Sequence, residues 1–256
     1  MIKYSFENRV AIVTGAGNGI GFEIARQLYR SGASVILNDI DASLADSAVS
    51  VIDPGMERCI AVSGDCATHE VMDALVDTAV ERFGQLDFVV CNAGLTMFCD
   101  FMTFTQKDFY RLLEVNLQGT FFMAQKAAHR FILQGKGGKL VFMSSVTGHS
   151  AHPNLSAYGM TKAAIEMMAK NLAIELAPHR INVNAIAPGA TLTERNLRDD
   201  PSYKEHWEKL IPAGRVGTPE DIANTALFLL SEESRHINGQ SIIVDGGWTS
   251  TSPTPD

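Results

Sequence analysis

Tyr158-Gly159-Met160-Thr161-Lys162 sets a phenol and an ammonium four positions apart. In a helix, both side chains project from one face. A free phenol holds its proton up to about pH 10, which makes it a poor proton acceptor at neutral pH. An ammonium within a few ångströms favours the phenolate and brings such a group toward the working range. Tyr and Lys at this spacing are by themselves a common accident, usually a solvated pair, so further groups must converge on them. Ser145 stands 13 residues before Tyr158, at the end of a predicted strand. Its hydroxyl can meet the same substrate oxygen if strand end and helix start face each other across a cleft. These groups suit proton exchange with the oxygen of an alcohol or ketone.

A second constellation lies near the N-terminus. Thr14-Gly15-Ala16-Gly17-Asn18-Gly19-Ile20-Gly21 puts four glycines into seven positions between a predicted strand and a predicted helix. Glycine lets the backbone approach a ligand closely and take up positive φ. The helix start beyond it offers free N–H groups and a positive dipole end suited to a pyrophosphate. The spacing reads G-x-G-x-G-x-G rather than the commoner G-x-G-x-x-G. A glycine-rich turn alone is weak evidence; its place after the first strand strengthens it. Asp39 follows Gly21 by 18 residues and closes the second predicted strand. A carboxylate there accepts hydrogen bonds from the ribose 2′- and 3′-hydroxyls and repels a 2′-phosphate. Its neighbours Asn38, Ile40 and Asp41 supply no cation, so NAD is expected over NADP.

Positioning these groups requires alternating strands and helices, and the hydrophobic pattern supplies them. Strands are predicted over 9–14, 34–39, 58–64, 86–91, 139–143, 180–187 and 241–244. Helices are predicted over 19–31, 43–51, 69–83, 107–133 (broken in character by Gly119), 157–177 and 219–230. Such alternation implies an α/β fold: a Rossmann-like, doubly wound parallel sheet of about seven strands with helices on both faces. No Gly/Ser/Pro-rich linker divides the chain, so residues 1–256 are read as one domain with its core over 8–248. Residues 191–212 fall outside the alternation and are expected to form a lid over the substrate. Residues 249–256 are expected to be a loose tail.

Composition narrows the function classes. The chain has 256 residues, 46% hydrophobic and 20% charged, which allows a sizeable core. Its formal net charge of −8 and the lack of a Lys/Arg stripe argue against a nucleic-acid surface. The longest apolar runs are too short to span a bilayer, and the N-terminus lacks a secretory h-region, so a cytoplasmic protein is expected. Cys59, Cys66, Cys91 and Cys99 form no C-x-x-C pair and are read as buried free thiols. No metal is expected.

Taken together, the motifs resemble the short-chain dehydrogenase/reductase family over about residues 8–247. Thr14 through Gly21 match the family's T-G-x-x-x-G-x-G turn. Asp65, in Ser63-Gly64-Asp65-Cys66, resembles its aspartate at the adenine edge. Cys91-Asn92-Ala93-Gly94 resembles its N-N-A-G signature, with cysteine in place of the first asparagine. Asn116, Ser145, Tyr158 and Lys162 match its catalytic set. Pro188-Gly189, followed by Thr191 and Thr193, matches its cofactor-binding segment after the sixth strand, and Asp245-Gly246-Gly247 also fits.

The resemblance implies a mechanism: Tyr158 exchanges a proton with the substrate oxygen as hydride moves at carbon. Lys162 would assist the phenol and bind the nicotinamide ribose. Ser145 would hold the substrate oxygen, and Asn116 would position Lys162 through a water. It also implies a homotetramer packed through two long helices, on which Phe121, Phe122, Met123 and Ile132, and Ile165, Met167, Met168 and Leu172, extend beyond a single apolar stripe. The expected substrate wall includes Leu95, Thr96, Ser145, Thr147, His152, Leu155 and the 191–212 lid, with Met97 and Asn154 adding to its mixed character. A sugar or polyol dehydrogenase is expected first, with a 3-oxoacyl-thioester or other ketone reductase as the alternative. An NAD-binding redox sensor without turnover is the reading from another class. Arg195 and Arg198 are expected to pair with lid carboxylates rather than bind an anionic substrate.

Overall fold

The most apolar segments of the chain become the middle of a sheet. A computed structural model describes residues 4–252. Its strands are β1 (Val10–Val13), β2 (Ser34–Leu37), β3 (Cys59–Ala61), β4 (Phe88–Cys91), β5 (Gly138–Met143), β6 (Ile181–Pro188) and β7 (Ser241–Val244). They form one seven-stranded sheet in the order β3-β2-β1-β4-β5-β6-β7, with every neighbouring pair parallel. All four residues of β1 and of β4 are buried, as strands covered on both faces must be.

The helices are α1 (Gly19–Arg30), α2 (Ala42–Ile52), α3 (His69–Phe83), α4 (Gln106–Leu113), α5 (Thr120–Gln134), α6 (Ser156–Leu176), α7 (Glu194–Asp199), α8 (Tyr203–Glu208) and α9 (Pro219–Leu230). Strand residues alternate between two cores. Ala11, Val13, Val35 and Val90 pack on one face with Ile24 and Leu28 of α1, Val49 of α2 and Ala226 of α9. Ile12, Ile36, Val89 and Phe142 pack on the other with Leu75 of α3, Met123 and Phe131 of α5 and Ile165 of α6. Each such side chain, fully buried, contributes about 1.5–3 kcal/mol.

The irregularity expected at Gly119 is present: Glu114–Gly119 form a wider π-helical turn joining α4 to α5, with Gly119 itself at a helical φ of −56°. Such turns concentrate at functional sites, and this one carries Asn116. At the other end lies the tail expected from Thr249. Trp248–Ser250 form a tight turn, held because the Asp245 carboxylate accepts from the Gly247 and Thr249 N–H groups and the Thr249 hydroxyl. The rest of that expected tail, residues 253–256, lies outside the described residues.

The strand order reverses between β1 and β4, since the chain goes outward from β1 through β2 to β3 and then returns to β1's other side. The carboxyl ends of those two strands therefore diverge into loops on opposite sides and leave a crevice, the usual ligand position in open α/β sheets.

Candidate active site

Asn92, just past β4, ties the two sides of that crevice together. Its side-chain amide donates to the carbonyls of Thr14 (3.0 Å) and Gly15 (2.8 Å). The Thr14 hydroxyl accepts in return from the Asn92 and Ala93 N–H groups, each at 3.1 Å. Gly15, at φ +60°, sits so near β4 that a Cβ would come within 2.7 Å of the Ala93 Cα. At Gly21 a Cβ would run into the Gly15 carbonyl and Asn92. The glycines thus let the turn fold flat against β4. Cys91 explains how cysteine is accommodated before Asn92: its side chain points into the core toward α5, while Asn92 bears the polar contacts.

The turn ends at α1, whose first residues have neither a side-chain cap nor an acidic group. Its N–H groups therefore remain open to an anion. Asp39 lies alongside, accepting from the Gly17 N–H at 2.9 Å and the Asp41 N–H at 3.1 Å. The cleft they border is about 370 Å³ and is lined by Gly15, Asn18, Gly19, Ile20, Gly21, Asp39, Asp65, Cys66, Asn92, Ala93, Gly94, Leu95 and Thr193. Gly17 directs its N–H at Asp39 instead. A backbone-lined anion cradle beside a carboxylate fits a dinucleotide. Asp65 is also engaged within the protein: one oxygen accepts from Arg111 at 2.6 Å and the other from the Ala67 N–H at 3.0 Å.

From this cleft a smaller recess, lined by Ile20, Asn92, Gly94, Ser145, Tyr158, Lys162, Pro188, Gly189, Thr191 and Thr193, leads to a third cavity of about 470 Å³. Ser145 and Tyr158 border both the recess and the cavity. Lys162 Nζ lies 5.4 Å from the centroid of the Tyr158 ring and donates to the Met143 carbonyl at 2.7 Å. Helical spacing on α6 and the end of β5 thus bring Ser145, Tyr158 and Lys162 together. Asn116 is fully buried, accepts from the Leu95 N–H at 2.8 Å and donates to Leu95 O and Thr161 Oγ1. A Cβ at Gly94 would sit 3.4 Å from both Asn116 Oδ1 and Lys162 Nζ, so both groups border the same glycine.

Residues 15–249 match the family model described as enoyl-(acyl carrier protein) reductase. The chain belongs to the short-chain dehydrogenase/reductase family. It is similar to L-rhamnose-1-dehydrogenase of Scheffersomyces stipitis, 36% identical over 93% of this chain and 95% of that protein. It is similar to 2-dehydro-3-deoxy-D-gluconate 5-dehydrogenase of Escherichia coli, 36% identical over 96% of this chain and 97% of that one. Among solved structures, a gluconate 5-dehydrogenase from Burkholderia cenocepacia, in complex with NADP and tartrate, superposes with a TM-score of 0.89 at 35% identity, covering 98% of both chains. This short-chain dehydrogenase/reductase is accordingly an oxidoreductase of CH–OH groups that works with a nicotinamide cofactor.

The remaining positions divide between the 370 Å³ cleft and the 470 Å³ cavity. Ser145, Thr147, His152 and Leu155 line the 470 Å³ cavity. Leu95, its backbone bonded to Asn116, lines the 370 Å³ cleft instead, while Thr96 lines the cavity and Phe98 joins it. Met97 is absent from that wall too. Residues 191–212 fold as α7 and α8, capped at Thr193, whose hydroxyl accepts from the Asn196 N–H. They contribute Arg195, Asn196, Asp199, Asp200, Tyr203 and Trp207, and the turn after β7 contributes Trp248. The signal that could have flagged the last two is composition, because the chain has only two tryptophans and both line this cavity.

Arg195 Nε lies 3.6 Å from Asp199, and its Nη2 donates to the Thr96 carbonyl at 2.9 Å, while Arg198 lies 3.9 Å from Asp199. Cys59, Cys66 and Cys91 are buried and are not candidates for nucleophilic chemistry, whereas Cys99, expected to be buried, is only partly so. Burial pushes the thiols of Cys59 and Cys66 up to about 12 and raises that of Cys91 further, so the reactive thiolate is suppressed. Among the described residues, no helix is long and apolar enough to cross a membrane.

Proposed function

We propose an NAD-dependent dehydrogenase of small hydroxylated substrates, sugars or polyols, with Tyr158 as the acid–base residue. The observation that carries this reading is that Ser145 and Tyr158, with the Lys162 ammonium over the Tyr158 ring, stand at the passage between a dinucleotide-shaped cleft and a separate cavity. The bound nicotinamide supplies hydride chemistry. In oxidation the phenolate of Tyr158 takes the substrate hydroxyl proton; in reduction the phenol returns it to the carbonyl oxygen. Ser145 donates to that oxygen and orients it. Lys162 places positive charge where the phenol oxygen bears negative charge, and it binds the nicotinamide ribose. Asn116 holds the α4–α5 turn and the Leu95 backbone against Lys162.

Gly15, Asn18, Gly19, Ile20 and Gly21 would cradle the pyrophosphate, with Gly17 fixing Asp39 beneath the adenosine ribose. Asp65 and Cys66 would border the adenine. Asn92, Ala93, Gly94, Pro188, Gly189, Thr191 and Thr193 would enclose the nicotinamide half. Asp39, without a neighbouring cation of its own, supports NAD over NADP. The relatives that oxidise rhamnose and a deoxygluconate support a sugar-type substrate.

In this reading α7 and α8 are the lid of a single working domain, residues 8–248. The exposed apolar residues of the α4–α6 region, Phe101, Tyr110, Phe121 and Met167, support a homotetramer. Light scattering of the purified protein tests that assembly. Following NADH absorbance across sugars, polyols, sugar acids and steroids tests the reaction. Tyr158→Phe is expected to abolish turnover and leave NAD binding nearly intact; a variant that still turns over would remove Tyr158 from its role. Cofactor binding without turnover of any alcohol or ketone would favour the sensor reading instead.

A further inference from the structure

The chemistry of the cavity wall discriminates between the two kinds of sugar substrate represented among the relatives, an uncharged aldose and a sugar acid. Among the described residues, three charged side chains line it: the carboxylates of Asp199 and Asp200 and the guanidinium of Arg195. That guanidinium is already engaged, facing Asp199 and bonded to the Thr96 carbonyl. Arg198, the other lid arginine, is on the exposed side of α7 and outside the cavity lining. The carboxylates are engaged as well: Asp199 faces Arg195 and Arg198, and Asp200 accepts from the Ser202 N–H at 3.0 Å and lies 3.0 Å from His206 Nδ1. A carboxylate substrate would still meet two carboxylates and one guanidinium in the wall, with that guanidinium already bonded. Like charges brought together in a partly desolvated site oppose binding.

The same wall offers what a neutral, hydroxyl-rich ring needs. Trp207 of α8 and Trp248 after β7 meet edge to face, centroids 5.3 Å apart and planes at 80°. Tyr203 extends the cluster, its centroid 6.0 Å from that of Trp207. Burial pushes the Tyr203 phenol up to about 12, so it stays uncharged there. Such surfaces present negative π faces to the slightly positive C–H bonds on one side of a sugar ring. Carboxylate oxygens accept from hydroxyl groups, and acidic side chains facing several hydroxyls give strong, charge-assisted hydrogen bonds.

We infer that the substrate is an uncharged sugar or polyol, stacked on Trp207 and Trp248, and that Asp199 and Asp200 exclude sugar acids. This rests on the reaction proposed above and adds the specificity of that same site.

The test compares a neutral aldose or polyol series with aldonates of the same carbon numbers, with NAD at constant ionic strength. The best neutral substrate is expected to exceed the best aldonate at least tenfold in kcat/KM. Asp199→Asn should shift that ratio toward the aldonate by about fivefold, since the variant keeps the size of the side chain and removes its charge. Trp207→Leu should raise KM for the neutral substrate about tenfold, with thermal melting run alongside to verify folding. Tyr158-dependent turnover that prefers the aldonate would overturn the inference and leave the proposed reaction standing. So would Tyr158-dependent turnover confined to apolar secondary alcohols or steroids. Failure of every alcohol and ketone, with cofactor bound, would overturn the underlying reaction as well.

Discussion

Asp39 is the position where a single charge should decide between two cofactors. Its carboxylate is held in place by the Gly17 N–H at 2.9 Å and the Asp41 N–H at 3.1 Å, and no neighbour in sequence is cationic. Both arginines lining the cleft are engaged: Arg111 with Asp65 and Glu114 at 2.6 and 2.7 Å, and Arg195 with the Thr96 carbonyl at 2.9 Å. A ribose 2′-phosphate placed against Asp39 brings roughly −1.5 to −2 charges beside a carboxylate with no counterion. At about 4 Å a pair of unit charges interacts by about 1 kcal/mol in water and about 4 kcal/mol near a protein surface. Asp39 is half-buried, so about 2 kcal/mol of repulsion is a reasonable middle value, roughly 30-fold in affinity. With NAD, loss of a charge-assisted hydrogen bond to the ribose costs about 1.5–3 kcal/mol.

Asp39→Asn is the cleaner substitution, because the amide oxygen still accepts from Gly17 and keeps the turn intact. It is expected to lower kcat/KM for NAD by about tenfold and raise that for NADP by about 30-fold, in line with those energies. The preference should then move by roughly 300-fold. The assay is kcat/KM for both cofactors with one substrate at fixed ionic strength, with fluorescence titration of binding alongside. A preference that moves less than threefold would refute the ribose assignment. Retained NAD preference in Asp39→Ala would do so more severely.

Three further outcomes follow from the geometry. Gly21→Ala should cost well over 1 kcal/mol of stability and impair cofactor binding, because the added methyl meets the Gly15 carbonyl and Asn92, a backbone and a turn-bracing side chain; an unchanged melting temperature and cofactor affinity would contradict the close packing of turn and strand. The Cys59 and Cys66 thiols, normally near 9.0 and pushed by burial to about 12, contribute stability that is complete below about pH 9 and is lost as pH rises toward 12; denaturant midpoints should fall over that window, and Cys59→Ala with Cys66→Ala should flatten the fall. Arg198→Ala should change substrate KM less than tenfold, because an exposed pair such as Arg198 with Asp199 is worth about 0–1 kcal/mol.

The cofactor half of the site was legible because backbone geometry carries it. Glycines at Gly15 and Gly21, an acid shortly after the second strand and an asparagine after the fourth sit at spacings set by strand and helix lengths. The alternation of apolar runs gave the sheet its strands and both cores for the same reason. The substrate half was harder to read, because its wall is collected from Thr96 and Phe98, Leu155, two short helices and Trp248, segments with no common spacing. Leu95 shows the difficulty: one position separates it from Thr96, yet the Asn116 side chain turns its backbone and sends it to the cofactor side. The π-helical turn around Asn116 showed only as the break in character at Gly119, since one extra residue per turn leaves hydrophobic spacing almost unchanged.

This division also bears on how such a site could change substrate while keeping its reaction. The proton-handling groups are braced by buried contacts that involve no lid residue. The Ser144 hydroxyl, beside Ser145, lies 3.0 Å from the Lys162 carbonyl and 2.7 Å from Glu166 and donates its one proton to one of them, and Glu166 also meets His149 at 2.8 Å on the loop that follows Ser145. Tyr158, Lys162 and Glu166 recur every four residues along α6, so the helix that presents the phenol is fastened to the strand end that presents the serine. Lys162 is bonded to Met143 of β5, and Asn116 to Thr161 of α6. The lid, by contrast, touches the cavity through α7 and α8, helices of six residues each. Replacing residues 194–208 should therefore alter which hydroxylated molecule is accepted while turnover remains dependent on Tyr158. If such a replacement abolished Tyr158-dependent turnover with every substrate, the brace would have to extend into the lid.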